Sequence, residues 1–165
     1  MDASTTDPTE LPRVVTDSGP RSGADAHGRL EVLTEREVLD LVQSASLGRI
    51  AFVVDGWPVV LPVNFALDGR DVVFRTDHGT KLDACEGARV GFEIDHADSV
   101  YQRGWSALAL GIGERVGDPR EVERLHHTHV HPWAGGAKAH WVRVHVAQWS
   151  GRRLPRSWRY PMSPR

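Results

Sequence analysis

Within the stretch FRTDHGTKL, residues 74–82, Arg75, Thr76, Thr80 and Lys81 fall within seven consecutive positions. A strand-like run gives way to polar residues and a glycine, and then to the start of a helix. Two cations, two hydroxyls and the free N–H groups of a helix start are what a phosphate needs: charge, directed donors and the positive helix end. The competing reading is a surface turn with two solvated cations. The chain holds 18 Arg but only two Lys, Lys81 and Lys138.

Three further segments carry candidate chemistry. In WPVVLPVNFAL, residues 57–67, Pro58 and Pro62 interrupt a strand-like run. Proline there forbids full ladder pairing, and backbone groups around Leu61, Pro62, Val63 and Asn64 are left for a planar ligand. An edge strand protected from aggregation is an equally good reading of this run. In RGWSAL, Trp105 is placed to wall a ring and Ser106 to hydrogen-bond its edge; the alternative for Trp105 is a core tryptophan. HHTHVHPW, residues 126–133, holds four histidines, of which His127, His129 and His131 alternate on one side. Three imidazoles on one face can hold zinc, but no Cys, Asp or Glu stands beside them, so the expectation is no structural metal. The chain has no G-x-S-x-G, Walker loop, CxxC or G-x-G-x-x-G after a strand. Cys85, the only cysteine, reads as a small buried hydrophobe.

The elements that position these residues follow from periodicity. Thr34 and Glu37 form a capping box, and Val38, Leu41, Val42 and Ala45 mark one helical face that Gly48 ends. From Gly48 the period becomes two. RIAFVV, Asp55-Gly56 and WPVVLPVNFAL read as a hairpin, Asp68-Gly69 starts a second turn, and DVVFRT is the third strand. GTKLDACEG is a short helix, RVGFEID a fourth strand and GWSALALGIGERV a long fifth. Asp118 and Pro119 start another helix, and HWVRVHVAQWSG is the last strand, with Trp141, Val142, Val144, Val146 and Trp149 set against His140, Arg143, His145 and Gln148. Five to six antiparallel strands with short turns and no βαβ period predict a mostly β fold, a small closed barrel with peripheral helices.

Composition bounds the rest. The 165 residues suffice for one domain, with 40% hydrophobic and 25% charged residues. Residues 1–30 are rich in small and polar types and read as a flexible tail; residues 31–154 are the domain, with order beginning near Leu33; residues 155–165 are a basic C-terminal tail. Residues 151–165 carry five Arg and no acid, whereas the whole chain carries net charge −2. That balance argues against a nucleic-acid binder, and the absence of a long apolar run or a signal-peptide pattern argues against a membrane span and for the cytoplasm. One cysteine permits no internal disulfide, which fits a reducing compartment.

The ordered set GRIAF, VNF, VVFRT, GTKL, GWSALALG, GERV, HWVRV and SGRRL resembles the pyridoxamine 5′-phosphate oxidase-like proteins, the flavin-binding split-barrel family, and most of all its small actinobacterial branch. The match covers about residues 33 to 154. The resemblance implies a six-stranded antiparallel split barrel that works as a homodimer with FMN between subunits. It places the strand Leu61–Asn64 along the flavin ring, and Arg75, Thr76, Thr80 and Lys81 on the phosphate and ribityl chain. Trp105 and Ser106 fall near the ring, with Trp133 and Arg143 as the nearest counterparts of a Trp and an Arg supplied by the partner subunit. The implied activity is a flavin-dependent oxidoreductase acting on a small molecule. A deazaflavin-dependent reductase and a non-catalytic flavin carrier or sensor are the alternatives on the same fold. The oxidases that act on the vitamin phosphate carry a basic residue on the ring strand and an Arg-Leu-His-type ending. Here the ring strand reads Leu61-Pro62-Val63-Asn64 and the ending SGRRL, which argues against that substrate.

Overall fold

The computed structural model describes residues 30–100, 103–128, 130, 133 and 137–154. The expected tails, 1–30 and 155–165, lie outside this set except for Leu30. In chain order the elements are β1 (Glu31–Val32), α1 (Glu35–Val42), β2 (Leu47–Val54), β3 (Trp57–Asp68), β4 (Asp71–Thr76), α2 (Thr80–Cys85), β5 (Arg89–Asp98), β6 (Arg103–Val116), α3 (Pro119–His126) and β7 (His140–Arg153). The strands run β1-β7-β4-β3-β2-β5-β6, all antiparallel, and β6 pairs again with β7 to close the ring. The fold is the mostly β barrel that the alternation predicts and the split barrel that the resemblance implies, with six long strands and the short β1 at the rim. The first described strand starts two residues before Leu33, because Glu31 and Val32 pair with Arg153 and Arg152.

Local chemistry sets the elements. Asp55 and Gly56 both take positive φ (50° and 79°), the requirement of the tight hairpin turn whose twist matches its strands. Thr34 caps α1: its hydroxyl accepts the Glu37 N–H, and its own N–H donates to the Glu37 carboxylate (2.9 Å). Asp118 caps α3, with Pro119 in its first turn.

Pro58 and Pro62 do not interrupt the β2–β3 ladder, contrary to the sequence expectation. The two-residue turn makes Val54–Trp57 a hydrogen-bonded pair, so Val53–Pro58 and Arg49–Pro62 fall on the alternate, non-bonded pairs. The proline nitrogens therefore point away from β2, where no N–H is required. On that far side β4 pairs only with Phe65–Asp68, so the edge of β3 from Trp57 to Asn64 has no strand partner among the described residues.

The barrel interior holds Ile50, Phe52, Val63, Phe65, Val72, Phe74, Phe92, Ile94, Val142 and Val144, with Phe92 between Phe65 and Phe74. Val38 and Val42 of α1 are fully buried against it. At Gly151 an added Cβ would lie 2.5 Å from Val38 Cγ2, so only glycine lets α1 approach β7 this closely. Leu82 and Cys85 bring α2 onto the same core. A second cluster (Val73, Val116, Leu125, Val130 and Trp141) sits outside the barrel, beneath α3. The first half of β7 is thus covered on both faces. A register shift opposite Leu110/Gly111 then changes which residues of β7 face inward.

Candidate functional site

β4 and α2 bring Arg75, Asp77, His78 and Lys81 together, as the contiguous segment requires. The approach to β7 adds Lys138 and His140. The Arg75 guanidinium donates to the carbonyls of Lys138 (Nε, 2.9 Å) and Ala137 (Nη2, 3.0 Å) and stands 5.6 Å from the Trp141 ring centroid. Asp77 accepts the Lys138 backbone N–H (2.7 Å) and its Nζ (2.6 Å), and these bonds hold the Asp77 carboxyl below the usual carboxylate range. Lys138 takes a positive φ of 42°, a conformation this double grip sustains. His140 Nδ1 faces Arg115 Nη2 at 3.1 Å. A guanidinium only donates, so Nδ1 is the acceptor. The His78 and His140 rings lie 6.0 Å apart.

Lys81 is the exposed need in this cluster. It is half-buried, and among the described residues no carboxylate pairs with it. Burial lowers the pKa of its amine, and the Lys138 charge lowers it further. Taking an ammonium out of water without a counterion is costly. Arg75, Lys81 and Lys138 stand with Asp77, which Lys138 engages, and Glu86 accepts the Arg115 N–H (2.9 Å), so positive charge exceeds negative around Lys81 and an anion would balance it. Thr76 is buried in the wall, and Thr80 opens α2.

The ring strand contributes differently at alternate positions. Leu61 and Val63 turn into the core and spend their backbone groups on β2, while Pro62 and Asn64 face outward, with the free backbone groups of this strand at the alternate positions. The Asn64 amide donates to Ser46 O (3.0 Å) and accepts the Trp133 N–H (2.8 Å). Trp133 is thereby fixed beside the open edge of β3, with 71% of its surface exposed.

Two of the predicted groups are not gathered here. Arg75 pairs across the sheet with Trp141, and Trp105 with Arg153. Those positions lie twelve residues apart on β7, roughly 40 Å of strand contour. One protomer therefore cannot bring Trp105 or Ser106 to the Lys81 cluster. The two also project from opposite sheet faces: Trp105 shares the inward face of Ala107, and Ser106 the outward face of Leu108. Arg143 is buried, and its guanidinium is held by Asp68 (2.5 Å), Glu121 (2.6 Å) and Asp71 (3.4 Å). Burial opposes its charge, but these bonds outweigh that and raise its pKa. The outward position that periodicity assigns to Arg143 is real, but α3 covers it.

Lys138 was visible as the second of two lysines, yet nothing local in sequence joins it to Asp77, 61 residues away. His126 packs its ring edge-on against Trp141 (5.7 Å) and His127 lies 3.8 Å from Glu123, while His129 and His131 lie outside the described residues. Burial pushes the Cys85 thiol up to about 11, as befits an unreactive core residue.

The chain compares with known proteins as follows. The uncharacterized protein Rv0080 of Mycobacterium tuberculosis is 32% identical over 127 residues, covering 72% of this chain and 82% of that one. The FAD binding protein from Mycobacterium smegmatis superposes with a TM-score of 0.64 at 35% identity, over 74% of this chain and 97% of its own. A conserved protein of unknown function from Corynebacterium diphtheriae gives a TM-score of 0.65 at 27% identity, over 76% and 98%. The sequence profile of pyridoxamine 5′-phosphate oxidase matches residues 34–153, nearly the whole barrel. With that profile, these relatives and a split barrel built as its strands predict, the chain belongs to the pyridoxamine 5′-phosphate oxidase family.

Proposed function

We propose that the protein is a flavin-dependent oxidoreductase that binds FMN as a homodimer, its phosphate at the Lys81 cluster and its ring along the open edge of β3. The observation that carries this reading is Lys81, a half-buried ammonium with no counterion among the described residues, beside Lys138 and Arg75. A phosphomonoester supplies the missing charge, and its oxygens suit the directed donors of Lys81. The donor set fits the group. The flavin binding named for the Mycobacterium smegmatis relative supports it.

In this arrangement Lys81 and Lys138 bind the phosphate, and Asp77 keeps Lys138 in place. Asn64 holds Trp133 beside the ring edge, where the Trp133 indole excludes water. Backbone groups of β3 at Val60 and Asn64, on the side away from β2, are available to a polar ring edge. The bound flavin would supply hydride transfer. The outer sheet face carries Leu47, Val53 and Val60 exposed, with Pro58 and Pro62 beside them, and supports a second copy covering it. That copy would bring its own Ser106 face to the site. A cytoplasmic setting, suggested by the lone cysteine, belongs to the same reading.

The test is the absorbance spectrum of the purified protein, followed by titration of the flavin-free form with FMN, FAD and riboflavin. FMN binding far tighter than riboflavin is expected; equal affinities would remove the phosphate from the account. Mixing the loaded protein with reduced nicotinamide or reduced deazaflavin then separates an enzyme from a carrier.

A further inference from the structure

The rim of the barrel far from Lys81 holds a groove of about 630 Å³, in the range of small-ligand pockets. Its wall is one row of cross-strand neighbours. Glu31 of β1 pairs with Arg153 of β7, Arg153 with Trp105 of β6, and Trp105 with His96 of β5. Directly paired residues project to the same face, so four strands present an acid, a guanidinium, an indole and an imidazole side by side over roughly 14 Å. The face is the inward one, since Trp105 rests on the core that Ile94 and Ala107 line. The groove is therefore the open mouth of the barrel, and mouths of barrels are recurrent ligand sites. Gly104 keeps this end narrow: an added Cβ would meet His96 O at 2.4 Å.

The chemistry of the row selects its ligand. The indole offers a stacking surface for a planar ring. Glu31 accepts from Arg153 Nε (2.9 Å) through one oxygen, and its second oxygen stands as an acceptor beside Arg153 Nη1, while Nη2 lies 3.7 Å from Glu37 Oε1. An acceptor and a donor side by side complement a ring edge on which an N–H adjoins a carbonyl. His96, on the other side of the indole, can meet a second polar atom. Arg153 is met by Glu31 (2.9 Å) and Glu37 (3.7 Å), and Arg103, also in the lining, by Asp98 (3.4 Å), so a neutral ring suits the groove better than a free anion.

We propose that the barrel mouth is a second ligand site, separate from the flavin site, that takes a planar heteroaromatic lactam of the oxopurine type. Trp105 stacks on the ring, and the Glu31–Arg153 pair reads its lactam edge. The role of Trp105 is then toward this ligand and not toward the flavin ring. The site exists within one protomer and does not depend on the flavin reading.

The experiment is calorimetric titration of the full chain with guanosine, which has the lactam edge, and with adenosine, which lacks it. Guanosine is expected to bind at least about tenfold tighter than adenosine. Trp105→Ala should weaken guanosine by about tenfold or more, the effect of losing one stacking ring. Since Trp105 also rests on the core, Glu31→Ala, at an exposed rim position, serves as a second variant and should erase the preference over adenosine. Lys81→Ala should leave guanosine binding unchanged while flavin occupancy, read by absorbance, falls. No heat with guanosine, equal affinity for the two nucleosides, or guanosine affinity indifferent to both Trp105→Ala and Glu31→Ala would each overturn the proposal. Flavin occupancy unchanged in Lys81→Ala would count against the flavin reading and leave this one standing.

Discussion

Asp77 holds Lys138 twice, through the backbone N–H at 2.7 Å and Nζ at 2.6 Å, and so ties the entry to β7 onto the segment that follows β4. The grip pairs one of the two lysines of the chain and leaves the other, Lys81, with the nearby positive charge and no paired acid among the described residues. The anion-binding reading depends on this asymmetry.

Lys81→Ala should weaken FMN binding by roughly 10- to 150-fold, the worth of one charge-assisted hydrogen bond of about 1.5–3 kcal/mol. Riboflavin has no phosphate, so its weaker binding should scarcely change. Fluorescence titration of both ligands checks this. Equal losses for both would place Lys81 in the fold or against the ring.

The same residue predicts a pH dependence in the flavin-free protein. Its folded pKa lies below the ordinary lysine value of about 10.4, so over that interval the unfolded chain binds more protons than the folded one. Stability from this group should therefore rise with pH through the interval. Lys81→Met should remove the rise, seen as the difference between the two proteins in urea unfolding from about pH 8 to 10. A wild-type curve no steeper than that of the variant would contradict the desolvated-cation reading.

Much of the barrel was legible because its signals are local. Asp55-Gly56 dictates a hairpin, the period-two runs give the strands, and Thr34 with Glu37 starts α1. What escaped depends on partners distant in sequence. Two residues, Glu31 and Val32, carry no periodicity and become a strand only through β7. The prolines of β3 seemed to forbid pairing until the register showed which edge each nitrogen faces. The site divides in the same way. Arg75 and Lys81 are close in sequence and were readable as a pair. The reach of Asp77 to Lys138, the bond from Trp133 to Asn64 and the burial of Arg143 beneath α3 are tertiary.

Arg143 should behave as a structural residue. Removing it leaves the exposed Arg124 to face Asp68 and Glu121 and takes the guanidinium from Asp71, and loss of one member of a buried ion pair costs about 3 kcal/mol or more. Arg143→Met should lower the melting temperature with little change in FMN affinity for the folded fraction. The bonds from Arg124, and then Arg143, hold Asp68 well below the ordinary carboxylate range. Its contribution is present above that range and is lost as pH falls beneath it, so Asp68→Asn should flatten the acid limb of the stability curve. A strong FMN defect with unchanged melting would instead make Arg143 a ligand.

Asn64→Ala should release Trp133 from β3. Two hydrogen bonds are lost, each contributing about 0.5–1.5 kcal/mol, with one end of each left on Ser46 and Trp133. Weaker binding of FMN and of riboflavin in equal proportion is expected, because the ring end of the site is affected and the phosphate end is not. Hydrogen exchange should quicken at the Trp133 amide. A defect confined to FMN would mean that Asn64 acts on the phosphate.

The outer face of β2 and β3 tests the second copy. Val53 is 63% exposed and Val60 57%, each standing beside a proline or alanine on the paired strand, with no charged residue between them. Val60→Asp touches no core residue, so its folding cost should be small. If this face joins two copies, the substitution buries a carboxylate without a partner at the interface, and light scattering should report a protein near 18 kDa. FMN affinity should then fall with it, although Lys81, Arg75 and Asn64 are intact, because the site needs the second copy to close it. A Val60→Asp protein that remains dimeric would move the interface elsewhere. A monomer that keeps full FMN affinity would confine the flavin site to a single chain.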